Sequence, residues 1–240
     1  MGQLLKYYRY FIFAFLMSIV GVLGIIIGIF RPFNKNNTYP LGLFYRSLSP
    51  LLMWVDVEVR NRDIATKNHP CVFIANHQSN LDVMAAAFFC FPGMVSLGKR
   101  QILFFPFFGL FYWLSGHILI DRSNRKKAIA SMDKVKRAIQ EKETSVIIMP
   151  EGTRSKGRGL LRFKKGAFHT ALHAEVPIVP IVISDLEKGF DMTKFKKGKI
   201  IIEFLEPIET GNYSKDNVGE LSDKAREIMV KELERINSEL

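Results

Sequence analysis

The chain has 240 residues, of which 48% are hydrophobic, and a formal net charge of +11. This length suits one large domain, or one domain with an appendage, and a core of this size needs no disulfide. Its two cysteines, Cys71 and Cys90, lack the spacing of a metal site or a disulfide framework, so they fit a reducing compartment. The positive charge favours an anionic partner, and its combination with 20 phenylalanines favours a membrane surface over nucleic acid.

The N-terminal segment is predicted to anchor the chain in a membrane. Residues 11–30 carry no charge and could cross a bilayer core of about 30 Å as one helix. The run is too long for a signal peptide and has no small-residue cleavage site. A second apolar segment, 41–55, contains Arg46 and Pro50 and is typical of an amphipathic helix at the interface. Residues 1–56 therefore form either a single transmembrane anchor or a helical hairpin embedded in one leaflet, and we favour the hairpin.

The remainder, residues 57–240, alternates β-rich runs with helical periodicities, which predicts an α/β domain. Strands are predicted at 55–59, 71–76, 94–98, 117–121, 144–150, 177–184 and 199–205. Helices are predicted at 81–91, 123–142, 164–175 and 218–240, and the aromatic run 104–114 is predicted to be helical after Pro106. The one break in composition lies near residue 56, and no internal repeat or long linker is present.

A histidine and an aspartate follow the predicted buried strand 71–76. His77 would lie at the end of the strand, and Asn80 is placed to cap a helix that begins near Leu81. Asp82, in the first helical turn, could then fold back onto the imidazole, which would fix its tautomer and leave the other ring nitrogen free to take a proton. The simpler interpretation is a loop histidine hydrogen-bonded to a capping aspartate, and this stretch alone leaves both open.

A glycine-rich basic loop follows the predicted strand 144–150. Its sequence, Glu-Gly-Thr-Arg-Ser at 151–155, offers glycine backbone, two hydroxyls and a guanidinium, which together suit a phosphate dianion. Because consecutive strand ends in an α/β sheet line the crevice where ligands bind, this loop and His77 are expected at one crevice. The loop is not a Walker loop, and no GxGxxG is present. The alternative is a solvated basic turn.

Two weaker elements complete the set. Lys99 at a strand end, with Pro106 and Gly109 in a phenylalanine-rich surround, suits an anion with an apolar remainder, although a core helix with a flanking lysine is the simpler interpretation. The run Val-Pro-Ile-Val-Pro at 176–180 could be purely structural. The sequence has no GxSxG elbow and no HExxH metal motif. A His–Asp base without a protein nucleophile implies that the hydroxyl of the substrate itself is activated.

These four elements together resemble the glycerolipid acyltransferases, and specifically the bacterial type of 1-acylglycerol-3-phosphate acyltransferase. The His-x4-Asp motif stands at His77 and Asp82, the Glu-Gly-Thr-Arg-Ser motif stands at 151–155, and the order and spacing of the elements cover about residues 56–184. The resemblance implies a mixed β-sheet flanked by helices, with a hydrophobic N-terminal anchor. It also implies an enzyme of phospholipid biosynthesis that needs no metal and no cofactor.

The resemblance further implies a role for each motif residue. His77 would deprotonate the 2-hydroxyl of lysophosphatidic acid, and the alkoxide would attack the thioester of acyl-CoA or acyl carrier protein to give phosphatidic acid. Asp82 would orient and balance the imidazolium. Arg154 and Lys99 would hold the phosphate. The residues expected to bind substrate are Lys99, Arg122, Glu151, Gly152, Thr153, Arg154 and Ser155.

The implied partners are lysophosphatidic acid, the acyl donor and membrane lipids, with no nucleic acid. The implied location is the cytoplasmic membrane, with the active site facing the cytoplasm. Three alternatives remain open: an acyltransferase for another lysophospholipid, a hydrolase that releases fatty acid to water, and a non-catalytic module that binds anionic lipid.

Overall fold

The computed structural model describes residues 1–105, 107–120 and 125–240. The strands are β1 (Val55–Arg60), β2 (Val72–Ala75), β3 (Met94–Lys99), β4 (Ile118–Ile120), β5 (Ser145–Ile148), β6 (Ile178–Ile183) and β7 (Gly198–Phe204). The helices are α1 (Gly2–Phe30), α2 (Thr38–Met53), α3 (Asp63–Lys67), α4 (Asp82–Phe89), α5 (Phe108–Leu114), α6 (Arg125–Gln140), α7 (Gly166–Ala174), α8 (Leu186–Gly189) and α9 (Val218–Asn237). A short 3-10 helix, Arg100–Phe104, lies between β3 and α5.

The strands form one sheet in the order β1-β7-β6-β2-β5-β3-β4. β2 lies between β5 and β6 and runs parallel to both, whereas β6 and β7 are antiparallel. The sheet is therefore mixed and flanked by helices, which confirms the predicted fold class. Because β2 and β5 are parallel neighbours, the segments that follow their carboxyl ends emerge at the same edge of the sheet. These are the segments that carry the two polar motifs.

The central strands are buried on both faces, which explains their nearly continuous apolar sequence. On one face, Phe73 of β2 packs in a core that includes Met84 of α4 and Tyr45 of α2. On the other face, Ile74 packs in a second core with Phe168 of α7 and other residues of α6, α7 and α9. The site is thus held by a sheet that has a packed core on each side.

The N-terminal helices α1 and α2 pack against each other and share the first core. α1 alone, among the described helices, is long and apolar enough to cross a membrane. Near its C-terminal end, Gly24 and Gly28 allow close contact with α5, since a Cβ at these positions would come within 2.2 Å of Phe111 and 2.6 Å of Leu114. The C-terminal half of α1 is therefore packed directly against the α/β body.

The N-terminal half of α1 is also fixed to the body, through Arg9. This side chain is only 1% exposed. Its guanidinium donates hydrogen bonds to the carbonyl oxygens of Asp191 at 2.8 Å, Lys194 at 3.1 Å and Lys196 at 3.4 Å. It also lies 4.8 Å from the centre of the Phe190 ring. Because these acceptors lie in the loop between α8 and β7, α1 is held near both of its ends.

The helix predicted after Pro106 is α5, and a separate short 3-10 helix precedes it. The 3-10 helix ends at Phe104, and α5 begins at Phe108. Gly109 lets these two pieces approach closely, because a Cβ there would come within 2.5 Å of the carbonyl oxygen of Leu103. As a result, Phe108 and Phe111 face inward, whereas Phe104 remains 83% exposed.

Candidate active site

The contact expected between His77 and Asp82 is present. Nδ1 of His77 is hydrogen-bonded to Oδ2 of Asp82, a carboxylate that is 1% exposed and lies at the start of α4. The same oxygen accepts the backbone N–H groups of Gln78 at 2.8 Å and Ser79 at 3.1 Å. The N-terminal end of the helix also favours a negative charge at this position. The carboxylate therefore places the proton on Nδ1 and leaves Nε2 free to act as a base.

The prediction that Asn80 caps α4 is wrong. The helix begins at Asp82, its cap position is Leu81, and no side chain caps it. The turn is closed instead by the bonds to Asp82 and by Oγ of Ser79, which accepts the N–H of Leu81 at 3.1 Å. Oδ1 of Asn80 is then available to accept a hydrogen bond from the guanidinium of Arg154.

The Glu-Gly-Thr-Arg-Ser loop lies directly beside the histidine. The backbone N–H of Ser155 donates to the carbonyl oxygen of His77 at 2.8 Å, and that of Lys156 donates to the carbonyl oxygen of Gln78 at 3.1 Å. Two strands that are neighbours in the sheet therefore remain paired beyond their ends. This pairing fixes the distance between the imidazole and the groups of the loop, as expected from the positions of the two motifs.

Glu151 joins three segments of the site. Its side chain is 3% exposed. Oε1 accepts the backbone N–H of His77 at 2.6 Å, and Oε2 accepts that of Leu161 at 2.9 Å. Burial raises the pKa of this carboxyl group, while the two N–H donors oppose the shift. Both oxygens therefore bind the protein's own backbone. No sequence pattern indicates this arrangement, because Leu161 belongs to no motif.

The other residues predicted to bind substrate occupy different positions around the site. Lys99, Thr153 and Arg154 are exposed and line the cavity described below, as does Gly152. Ser155 is buried, with 3% of its surface exposed. Arg122 lies outside the described residues, as does Pro106, which belongs to the same sequence element as Lys99.

Lys164 is a cationic neighbour of the site that the motifs did not indicate. Gly152 has a φ of +69°, and a Cβ there would come within 3.0 Å of Cδ, Cε and Nζ of Lys164. The ammonium group therefore lies against the backbone of Gly152. The backbone N–H of Lys164 donates to the carbonyl oxygen of Pro150 at 2.8 Å, which holds Lys164 beside the loop. Lys164 adds positive charge where the guanidinium of Arg154 already favours an anion.

A cavity of about 590 Å³ extends from His77 along one face of the sheet. This volume is within the range of about 300–1,000 Å³ that is common for ligand sites. Its lining is mainly apolar and is contributed by β3, β5 and the helices on that face, including Met17, Val20, Leu41, Ala86, Phe108 and Phe111. The helices α1 and α2 therefore form part of the cavity wall.

A polar cluster also lines this cavity, near the amino end of β3. Nδ1 of His117 accepts the backbone N–H of Ser96 at 2.9 Å, so the ring proton lies on Nε2. The hydroxyls of Ser96 and Tyr112 are 2.7 Å apart, and the Tyr112 ring lies 4.3 Å from that of His117. Burial lowers the pKa of His117 to about 4, so this histidine is neutral at physiological pH. His77 follows the carboxyl end of β2, whereas His117 precedes β4, so the two histidines lie towards opposite ends of the parallel strands.

The described residues contain no group of three or more His, Cys, Asp or Glu side chains that could hold a metal ion. What the site can do follows from the groups it does contain. It has an oriented imidazole with a free Nε2, cationic side chains around a glycine turn, and an apolar cavity that begins at the imidazole. This combination suits proton removal from a hydroxyl on an anionic molecule with a long apolar part.

Comparison with known proteins gives consistent results. A family model described as Acyltransferase matches residues 56–184. The chain is 36% identical to the 1-acyl-sn-glycerol-3-phosphate acyltransferase of Haemophilus influenzae, over 99% of this chain and 98% of that protein. It is 38% identical to the protein of the same name from Escherichia coli, over 99% of this chain and 96% of that protein. The crystal structure of the 1-acyl-sn-glycerophosphate acyltransferase from Thermotoga maritima shares the fold, with a TM-score of 0.72 at 21% identity, and the match covers 98% of this chain and 95% of that one.

Proposed function

The chain belongs to the acyltransferase family, and we propose that it transfers a fatty acyl group to the 2-hydroxyl of 1-acylglycerol-3-phosphate, giving phosphatidic acid. The acyl donor is acyl-CoA or acyl carrier protein. The observation that carries this proposal is the His77–Asp82 pair at the start of an apolar cavity, beside a cationic loop. Relatives that match nearly the whole chain carry the corresponding name, which supports the choice of acceptor.

In the proposed reaction, Nε2 of His77 takes the proton of the acceptor hydroxyl while the oxygen attacks the thioester carbonyl. The tetrahedral intermediate collapses with cleavage of the carbon–sulfur bond, and the proton on Nε2 passes to the departing thiolate. Asp82 stabilises the imidazolium that exists between these steps, because its Oδ2 accepts the Nδ1 proton. The acceptor hydroxyl is the nucleophile, so the protein contributes no covalent intermediate.

The acceptor phosphate is proposed to bind at the cationic side of the site. Arg154 can form two parallel hydrogen bonds to a phosphate, and Lys99 contributes a point charge at the end of β3. Thr153, Gly152 and the proposed ligand Arg122 add donors around it. We add Lys164 to this set because its side chain lies against Gly152.

Glu151 and Ser155 are proposed to support the acceptor site indirectly. The carboxylate of Glu151 accepts the backbone N–H of His77, and the backbone N–H of Ser155 donates to the carbonyl oxygen of His77. Together they hold the backbone of the base against the loop that binds the phosphate. The effect on catalysis would come from the position of His77 and not from a contact with substrate.

The acyl chain that is transferred from the donor is proposed to occupy the 590 Å³ cavity. Its carbonyl group would lie near His77, and the tail would extend towards His117. Phe108 and Phe111 line this space, so part of the phenylalanine-rich segment would contact the acyl chain.

Residues 1–56 are proposed to anchor the domain 57–240 on the cytoplasmic membrane, with the active site facing the cytoplasm. The fixed ends of α1 favour a hairpin in one leaflet over a transmembrane span. A helix that is packed on the body near both ends cannot cross the bilayer while the body remains in water. The side of α1 away from the body exposes large apolar residues: Leu4, Tyr7, Phe11, Phe15, Val22, Ile26, Ile29 and Phe30.

One assay tests this function against its rivals. Purified protein is mixed with lysophosphatidic acid and oleoyl-CoA, and both free thiol and lipid products are followed. Thiol release that depends on the acceptor and yields phosphatidic acid supports the transferase. Release without an acceptor would indicate a thioesterase, and no release would indicate a lipid-binding module. Replacing the acceptor with lysophosphatidylcholine tests whether another lysophospholipid is preferred.

A further inference from the structure

Another cavity, of about 760 Å³, lies near the amino ends of the parallel strands, away from His77. Its lining includes Gly116 and Thr144, which precede β4 and β5, whereas His77 follows β2. These strands all run in the same direction, so the cavity and the base are at opposite ends of the strands. Val95 and His117 line both this cavity and the first one.

One wall of this second cavity is strongly basic. Lys134, Arg137 and Lys142, on α6 and the turn after it, line the space, with Glu141 as the acidic residue among the lining groups. All three basic side chains are exposed. Within the described part of the chain, none of them forms a salt bridge with a carboxylate. Three cations that share one concave surface attract an anionic ligand.

Lys35 has a different role in the same wall. Its ammonium group donates to the carbonyl oxygens of Lys142 at 2.5 Å and Glu143 at 2.7 Å. These bonds tie the connection between α1 and α2 to the turn between α6 and β5. The N–H of Phe33 also donates to the carbonyl of Leu114 at 2.8 Å. This part of the cavity rim is therefore fixed by hydrogen bonds between segments that are distant in the sequence.

Another part of the cavity lining is aromatic. Phe33 and Trp113 meet edge to face, with ring centres 5.0 Å apart, and are 51% and 45% exposed. Leu110, three residues before Trp113 on the same face of α5, is 45% exposed, and Phe107, which directly precedes the helix, is 74% exposed, so exposed apolar side chains form an apolar stripe beside the cavity. A partly exposed tryptophan beside basic side chains is typical of a protein surface at the boundary between lipid and water.

We propose that this second cavity binds the head group of an anionic phospholipid of the bilayer. The phosphate would lie between Lys134, Arg137 and Lys142, with the glycerol esters against Phe33 and Trp113. An acidic protein would also be attracted by the charges, but the apolar stripe beside the cavity favours a lipid. The bound lipid would not be the substrate, because the reacting base lies at the other edge of the sheet. It would hold α5 and the α1–α2 connection on the membrane surface.

Trp113 provides a direct probe, since Trp54 is the other tryptophan of the chain. The full-length Trp54→Phe variant, in a neutral maltoside detergent, is titrated with monomeric dihexanoyl-phosphatidylglycerol or dihexanoyl-phosphatidylcholine. The emission of Trp113 should change saturably with the anionic lipid only. Adding Arg137→Gln and Lys142→Gln should weaken this binding about 10- to 30-fold. The matched control, Lys224→Gln with Lys231→Gln on α9, removes the same charge and should leave binding unchanged.

Four results would overturn the proposal. They are an equal response to phosphatidylcholine, equal weakening by the control pair, saturation by inorganic phosphate at the same concentrations as the lipid, and tighter binding of acyl carrier protein that is lost in the Arg137 and Lys142 variant. Turnover on lysophosphatidic acid in the neutral detergent should be unchanged in that variant, and its thermal midpoint reports its folding. Failure of the proposed enzyme function would abolish turnover in every variant but would not affect the Trp113 titration.

Discussion

Replacement of Glu151 by glutamine separates a positioning role from a substrate contact. Glutamine has the shape of glutamate, but one carboxylate oxygen becomes an amide nitrogen. Its remaining oxygen can accept the N–H of His77 or that of Leu161, but not both. The other N–H then faces a donor in a buried site, which costs about 1–3 kcal/mol. We expect this cost to appear partly as lower stability and partly as misplacement of His77.

The expected results are specific. If the whole cost falls on the folded state, the thermal midpoint drops by about 2–12 °C for a chain of this size. If it falls on the transition state, kcat drops by about 5- to 150-fold, at 1.36 kcal/mol per decade. The Michaelis constant for lysophosphatidic acid should change little in either case, because neither oxygen of Glu151 faces the cavity. Thermal melts and steady-state kinetics with each substrate varied in turn measure all three quantities.

The opposite pattern would refute this reasoning. A Glu151→Gln variant with wild-type kcat and midpoint, but a Michaelis constant for lysophosphatidic acid raised tenfold or more, would mean that the carboxylate binds the acceptor. Glu151→Asp is the matched control, since it keeps the charge but cannot reach both N–H groups. If Glu151 positions His77, the aspartate variant should lose kcat as the glutamine variant does. If the charge of Glu151 binds the acceptor, the aspartate variant should instead keep the wild-type Michaelis constant for lysophosphatidic acid.

Four further predictions rest on the same contacts. His77→Ala should reduce turnover about 10²- to 10⁴-fold, and Asp82→Ala should retain more activity; a folded His77→Ala variant with most of its turnover would exclude the base. Arg154→Ala should raise the Michaelis constant for lysophosphatidic acid about 30- to 1,000-fold, with Arg154→Lys in between, and a rise for the acyl donor instead would reassign this guanidinium. The unfolded chain protonates His117 near pH 6.5 but the folded chain only near pH 4, so the free energy of unfolding should fall as the pH drops between these values, and less steeply in His117→Asn. Arg9→Met should speed hydrogen exchange in 191–196, because the carbonyls of Asp191, Lys194 and Lys196 lose the hydrogen bonds from the guanidinium, and unchanged exchange would show that α1 is held by apolar contacts alone.

The parts of the fold that were predictable are those encoded by local patterns. Val55, Val57 and Val59 alternate with charged residues, and β1 occupies that run. The buried strand before His77 is a short apolar run bounded by polar residues, and β2 lies there. The contact between His77 and Asp82 could also be predicted, because a turn and a helix start separate them by only five residues.

The parts that were not predictable depend on contacts between distant segments. Arg9 binds carbonyl groups 182 to 187 residues away, and nothing in a lone arginine within an apolar helix indicates such acceptors. Asn80 has the composition of a helix cap, but the guanidinium of Arg154 occupies its side-chain oxygen. The motif predicts that Glu151 belongs to a substrate-binding loop, but both of its carboxylate oxygens accept backbone N–H groups of the protein. In each case the side chain forms a hydrogen bond to a residue that is distant in the sequence, and the neighbouring sequence does not indicate that partner.

Hydropathy also could not separate the two uses of the N-terminal helices. The apolar residues of α1 and α2 fall into an outward set, which includes Phe11 and Phe15, and an inward set, which includes Met17, Val20 and Leu41 on the cavity beside His77. Both sets have the same chemical character, so a count of apolar residues treats them alike. The structure separates them because Gly24 lets α1 approach α5 at van der Waals distance. The segment proposed as an anchor is therefore also a wall of the cavity beside His77, and the surfaces proposed to face the membrane and to bind the acyl chain are two sides of the same helices.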